Sequence, residues 1–206
     1  MLKVLLACAL LVLAPAAVAA DYVAGRHYEL IEPPLETAAA DDKVVVMELF
    51  WYGCPHCFEF EPAIEEWLAS EPENVEFVRV PAVFARNWEI HARAFYAAEQ
   101  LGVLKQTHTA LFNALHRERR RLFTLDDLVT FYAEHGVDAE AFRTAYESFD
   151  VDQKTRRAMA ITRKSGIGGV PALVVDGRYR LSTQQTGGYD AMLKVAEHLA
   201  AKDSSR

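Results

Sequence analysis

Two cysteines three positions apart, Cys54 and Cys57, stand in the stretch LFWYGCPHCFEF at residues 49–60. This spacing suits half a metal site, a structural staple, or a bridge that is made and broken. Zinc takes four ligands, usually with a second Cys or His pair. The histidines outside the motif, His27, His91, His108, His116, His135 and His198, show no such paired spacing. A staple across so short a loop removes little entropy from the unfolded chain. The pattern therefore points to a redox-active disulfide, with no metal and no small-molecule cofactor. No phosphate-binding glycine loop is present.

The surroundings strengthen that reading. The cysteines fall where a strand ends and a helix begins, a place with free backbone N–H groups and the positive end of the helix dipole. A sulfur on Cys54 is more stable there as a thiolate. Pro55 fits the first helical turn, because its missing N–H is no loss. His56, when protonated, adds positive charge close to the same sulfur, and a depressed thiol pKa makes a cysteine reactive. Stabilising the thiolate also stabilises the dithiol relative to the disulfide, which makes the bridge oxidising. The plainer reading of His56 is a solvent-facing side chain.

The elements that position the pair can be read on either side. KVVVMELFW, 43–51, is a buried strand by its β-branched and aromatic run. FEFEPAIEEWLAS carries helical periodicity to Ser70, with Pro62 expected to kink it. NVEFVRVPA, 74–82, is a second strand. From Asn87 to Lys164 the texture is helical, with Thr124 and Asp138 as N-caps. IGGVPALVVDGRYRLS then reads as a glycine-rich turn, a strand, an Asp-Gly hairpin and a short strand, and a last helix follows. Residues 21–42, with Pro33 and Pro34, form an extended lead-in. Strands interrupted by helices predict an α/β fold with a covered mixed sheet, and the long helical block is an insertion.

Composition bounds the function. The 206 residues carry a formal charge of −7, which gives no support for nucleic-acid binding. The first twenty residues hold Lys3, an apolar run and small residues, and read as a secretory signal peptide ending at residue 20. The apolar run is short for a membrane span. Cys8 would leave with that segment, and export to an oxidising compartment permits disulfides. HRERRR, 116–121, reads as a solvated helix end in preference to a docking patch. Phe58, Phe84 and Trp88 are candidates for an apolar groove beside the cysteines, or for core; Phe58 is kept because it follows the motif.

FWYGCPHCFEFEP, the helical block and GVPALVVDG downstream together resemble the DsbA-type periplasmic thiol:disulfide interchange proteins of the thioredoxin superfamily, over nearly the whole chain after the leader. The resemblance implies a thioredoxin fold with an inserted all-helical domain. It implies 21–85 and 150–206 as the two parts of the thioredoxin domain, with the insertion at 86–149. It implies that Cys54 is the exposed, attacked sulfur and Cys57 its more buried partner. Val170 and Pro171 would form the loop whose proline is cis, lying against the disulfide and offering backbone groups to an extended substrate. Glu48 would be a buried acid that relays protons or tunes the thiol pKa, with Arg79 facing it. The implied substrates are unfolded exported proteins with free thiols, met in the periplasm by a monomer. The implied reoxidising partner is a membrane quinone-linked oxidase of the DsbB type.

Two alternatives stand beside this expectation. A periplasmic isomerase or reductase uses the same chemistry, but such isomerases carry an N-terminal dimerisation domain, and only some twenty residues separate the leader from the first strong strand. A metal chaperone would instead use Cys54, Cys57 and His56 as ligands.

Overall fold

The computed structural model describes residues 22–37, 43–70 and 74–203. The proposed leader and Cys8 lie outside the described residues. Five strands form one sheet: β1 Glu29–Leu30, β2 Val44–Phe50, β3 Val75–Pro81, β4 Ala172–Val175 and β5 Tyr179–Ser182. Their order is β1-β5-β4-β2-β3, with β2 and β3 parallel and the other pairs antiparallel.

β2 lies between two neighbours and is buried at every position, as its unbroken apolar run requires. Side chains alternate across a strand. Val45, Met47 and Leu49 join the core on one face, with Ile31, Val174 and Ala158. Val44 and Val46 meet Phe60, Ile64 and Met192 on the other face. Glu48 follows this second set, so periodicity alone turns a carboxyl inward beneath the first helix.

That helix, α1, spans Pro55–Ala69 and continues through Pro62. Five helices run between β3 and β4: α2 Arg86–Gln100, α3 Leu104–His116, α4 Leu125–Glu134, α5 Ala139–Glu147 and α6 Phe149–Lys164. The Thr124 hydroxyl accepts from the Asp127 N–H, and the Asp127 carboxylate accepts in return from the Thr124 N–H, so α4 opens on a capping box. Asp138 caps α5 by accepting from the Ala141 N–H at 2.8 Å. The fold is a mixed α/β thioredoxin fold with a helical insertion. One aromatic core, including Phe95, Phe112, Phe131 and Tyr132 from the insertion, also contains Phe50, Tyr52, Cys54 and Cys57. The redox motif is thus packed into the insertion's core.

The hairpin predicted at Asp176-Gly177 is present, with φ of 50° and 63° at the two residues. Glycine is required at the second position twice over. Its φ is left-handed, and a Cβ there would lie 2.2 Å from the Leu35 carbonyl oxygen. The lead-in holds more structure than expected: β1 pairs with β5, and the Glu32–Pro33 peptide is cis. β5 runs into the one-turn helix α7, Thr183–Thr186, and the chain closes with α8, Tyr189–Asp203. Two residues of strand and four of helix carry too little periodicity to be read from sequence.

Candidate active site: a cysteine pair at a strand-to-helix junction

Cys54 is the N-cap of α1, with extended backbone at φ −91° and ψ 117°, and Pro55 opens the helix. Proline at this position supplies a fixed φ and withholds no useful donor. The His56 and Cys57 N–H groups are then the nearest free donors to the Cys54 sulfur. The thiol makes no conventional cap hydrogen bond with them, so they act on it as short-range dipoles.

Both cysteines are unbridged thiols. Cys54 is 9 % exposed and Cys57 0 %. The sequence reading expected an exposed Cys54; it is instead nearly covered, because the insertion's aromatic core and the Val170–Pro171 loop close around the motif. It is still the more accessible of the two.

Their proton affinities diverge. Cys54 is lowered from 9.0 to about 6, chiefly because the Cys57 S–H donates to its sulfur. Burial opposes the shift, while the Cys57 and His56 amides and then the His56 charge assist it. The His56 imidazole, 70 % exposed and 3.3 Å from Glu59, is therefore the least of these helpers. Cys57 is pushed far up, first by burial and then by the hydrogen bond and negative charge of Cys54, with a further contribution from Glu48.

A second loop completes the site. The Val170–Pro171 peptide is cis, and the Cys54 thiol donates to the Val170 carbonyl at 3.5 Å. A groove of about 630 Å³ runs along this loop, lined by His56, Gly169, Val170, Pro171, Gln185 and Tyr189. The Tyr189 hydroxyl donates to the His56 carbonyl at 3.0 Å, which fastens α8 to the motif.

Glu48 is wholly buried. It pairs in register with Arg79 across β2 and β3, and its Oε2 lies 3.3 Å from the Arg79 Nε. Burial, followed by the charge of Glu61, raises its pKa from 4.5 to about 8, against the pull of Arg79.

Phe58 is half-buried. It stacks on His116 with centroids 5.1 Å apart, beneath the Arg117 guanidinium. Trp88 stacks on Trp51 at 4.2 Å. Phe84 is exposed and meets Trp88 edge-on. Within HRERRR, Arg117 and Arg119 are exposed, and Arg120 pairs with Glu134.

Sequence reasoning passed over Glu61, His108, His116 and Tyr189. Glu61 follows Cys57 by four, which places it on the same helix face. His108 and His116, eight apart on α3, share a face by the same rule. These spacings were visible; what they face was not.

A thioredoxin sheet, a Cys-Pro-His-Cys junction of unequal thiols and a facing cis-proline loop together define a thiol:disulfide oxidoreductase. Residues 78–200 match the family model described as the DSBA-like thioredoxin domain. The thiol:disulfide interchange protein DsbA of Azotobacter vinelandii is 42 % identical over 187 residues, covering 90 % of this chain and 86 % of the relative. That of Pseudomonas aeruginosa is 39 % identical over 188 residues, covering 91 % and 89 %. The crystal structure of Pseudomonas aeruginosa DsbA superposes with a TM-score of 0.84 at 38 % identity, covering 91 % of this chain and 97 % of that one. The Xylella fastidiosa oxidoreductase DsbA gives 0.84 at 32 % identity, covering 90 % and 99 %. The chain belongs to the DSBA-like thioredoxin domain family.

Proposed function

We propose that this enzyme is the donor side of oxidative folding: it passes the Cys54–Cys57 disulfide to newly exported, unfolded proteins in the periplasm. A substrate thiolate attacks the Cys54 sulfur of the bridged form. The Cys54–Cys57 bond breaks, and Cys57 leaves as a thiolate that takes up a proton. Glu48, protonated below about pH 8, is the buried acid in electrostatic reach of Cys57 and supplies or buffers that proton. A second substrate thiolate then attacks the substrate sulfur of the mixed disulfide, and Cys54 departs as a thiolate. Two substrate thiols are oxidised to one disulfide, and the cysteine pair gains the two electrons.

The reading gives each remaining residue a task. Pro55 and His56 shape the first turn around the Cys54 sulfur. Val170 and Pro171 offer an extended substrate a backbone edge beside the disulfide. Residues 1–20 serve as an export signal, 21–85 with 150–206 as the thioredoxin domain, and 86–149 as the helical insertion. The protein works as a monomer with no cofactor beyond the disulfide, and a membrane quinone-linked oxidase of the DsbB type restores the bridge.

The single observation that carries this reading is the inequality of the two thiols, with Cys54 near 6 and Cys57 far above its ordinary value. Such a pair releases Cys54 readily and so donates its bridge. The test is oxidation of a reduced, unfolded protein by the bridged enzyme. Cys54→Ser should abolish it, and Cys57→Ser should accumulate a mixed disulfide through Cys54. Full oxidase activity in Cys54→Ser would overturn the reading.

A further inference from the structure

Behind the cysteines lies a buried row of charged and polar groups that disulfide exchange alone does not require. Glu48 and Glu61 are 0 % and 5 % exposed, and both face one guanidinium, that of Arg79. Arg79 treats them unequally. Its Nη2 donates to Glu61 at 3.1 Å and to Glu65 at 2.8 Å. Its Nε approaches Glu48 to 3.3 Å without hydrogen-bond geometry, and among the described residues neither Glu48 oxygen has a hydrogen-bond partner.

His108 adds to the imbalance from the helical insertion. Its Nδ1 is hydrogen-bonded to the Tyr52 hydroxyl at 2.7 Å, and its Nε2 lies 3.3 Å from Glu61 Oε1, an electrostatic contact without hydrogen-bond geometry. Burial keeps the His108 ring neutral and the Tyr52 phenol protonated. A neutral imidazole accepts at one nitrogen and donates at the other. An ionised carboxylate can only accept, so the tautomer that suits Glu61 carries its N–H on Nε2, and Nδ1 then accepts from the Tyr52 hydroxyl. Among the described residues, the charged groups that act most strongly on the ring are Glu61, Arg79 and Glu65. Those acting on Glu48 are Glu61, Arg79 and Glu65.

Two buried carboxylates sharing one strong cation cannot both stay charged cheaply, and one proton resolves the conflict. We propose that His108 decides where that proton sits: by facing Glu61 it keeps the charge there and leaves the proton on Glu48, on the cysteine side of the pair. His108 is on this account a positioning residue through which the helical insertion sets the proton supply of the redox centre. The raised pKa of Glu48 and the lowered pKa of Glu61 agree with this partition. The inference rests on the oxidase reading only for the use made of the proton.

The experiment is residue-resolved carbon-13 NMR titration of the Glu48 and Glu61 side-chain carboxyls in the full chain after the leader. It compares the natural protein with His108→Leu and with His108→Gln, whose amide can still donate to Glu61. In the natural protein Glu48 should hold its proton through neutral pH while Glu61 is ionised. In His108→Leu the two midpoints should move toward each other, Glu48 falling by about one pH unit or more and Glu61 rising. His108→Gln should restore most of the separation, and Tyr52→Phe, which frees the ring's tautomer, should give a smaller shift in the same direction. A general loosening of the core would not move the two midpoints in opposite senses. Unmoved midpoints in folded His108→Leu overturn the proposal; should that variant not fold, unmoved midpoints in Tyr52→Phe do so. An ionised Glu48 at neutral pH in the natural protein also overturns it. The oxidase reading is judged separately, by the Cys54→Ser assay, which these titrations leave untouched.

Discussion

The Cys54 thiol points at the carbonyl oxygen of Val170, 3.5 Å away and 116 positions later in the chain. The two residues belong to different halves of the sheet fold and meet only because β4 pairs beside β2. This contact puts the Cys54 sulfur against a backbone edge, where the proposed function would have a substrate strand lie.

The leading stabiliser of the Cys54 thiolate is the Cys57 S–H, ahead of His56. Ultraviolet titration of the natural dithiol should therefore give a midpoint near 6 for Cys54. Cys57→Ala should raise it by about one unit or more, and Cys57→Ser, which keeps a donor, by less. His56→Ala should move it least of the three. A midpoint that stays put in Cys57→Ala contradicts the assignment.

Reduction should raise the melting temperature. The Cys54 pKa is depressed in the folded dithiol, so its stabilisation is present above the unfolded value of 9.0 and is lost as pH falls through about 6. The excess stability of the reduced over the bridged form should thus grow as pH rises from 6 toward 8 and level off near 9.0, where Cys57, pushed up in the fold, begins to ionise in the unfolded chain. The bridge itself closes too short a loop to compensate. Calorimetry with and without dithiothreitol at several pH values checks this; a gap that shrinks with rising pH counts against it.

Glu48 carries a pKa raised to about 8 in the folded state, so the folded protein binds a proton there that the unfolded chain has released. Stability from this site falls as pH rises from about 4.5 to about 8. Glu48→Gln removes that loss. It should be stabilising, on the order of 1–3 kcal/mol at pH 8, and close to neutral at pH 5. Urea unfolding at the two pH values measures the difference, and an equal effect at both would refute it.

Gly53 is needed for packing. A Cβ there would stand 2.4 Å from the Trp51 indole, which is itself stacked on Trp88 at 4.2 Å. Gly53→Ala should displace Trp51, change the tryptophan emission, and cost about 1–3 kcal/mol. Unchanged emission with full stability would show that the indole yields without cost.

By itself the sequence determined the chemistry and most of the framework. The Cys-Pro-His-Cys junction, the unbroken apolar strand that buries Glu48, the Asp-Gly hairpin and the Thr124 and Asp138 caps are all local patterns. Local patterns are readable because backbone propensity, side-chain period and capping act within a few residues. Tertiary structure alone decided the rest. That Cys54 is nearly covered, that His108 meets Tyr52 and Glu61, that His116 donates to the Tyr52 carbonyl at 2.7 Å, and that β1 reaches β5 are all meetings of segments far apart in the chain. Such meetings come from sheet order and from how α3 packs against the motif. No window of sequence contains both partners, and a buried polar contact leaves no periodic trace of the residue it will face.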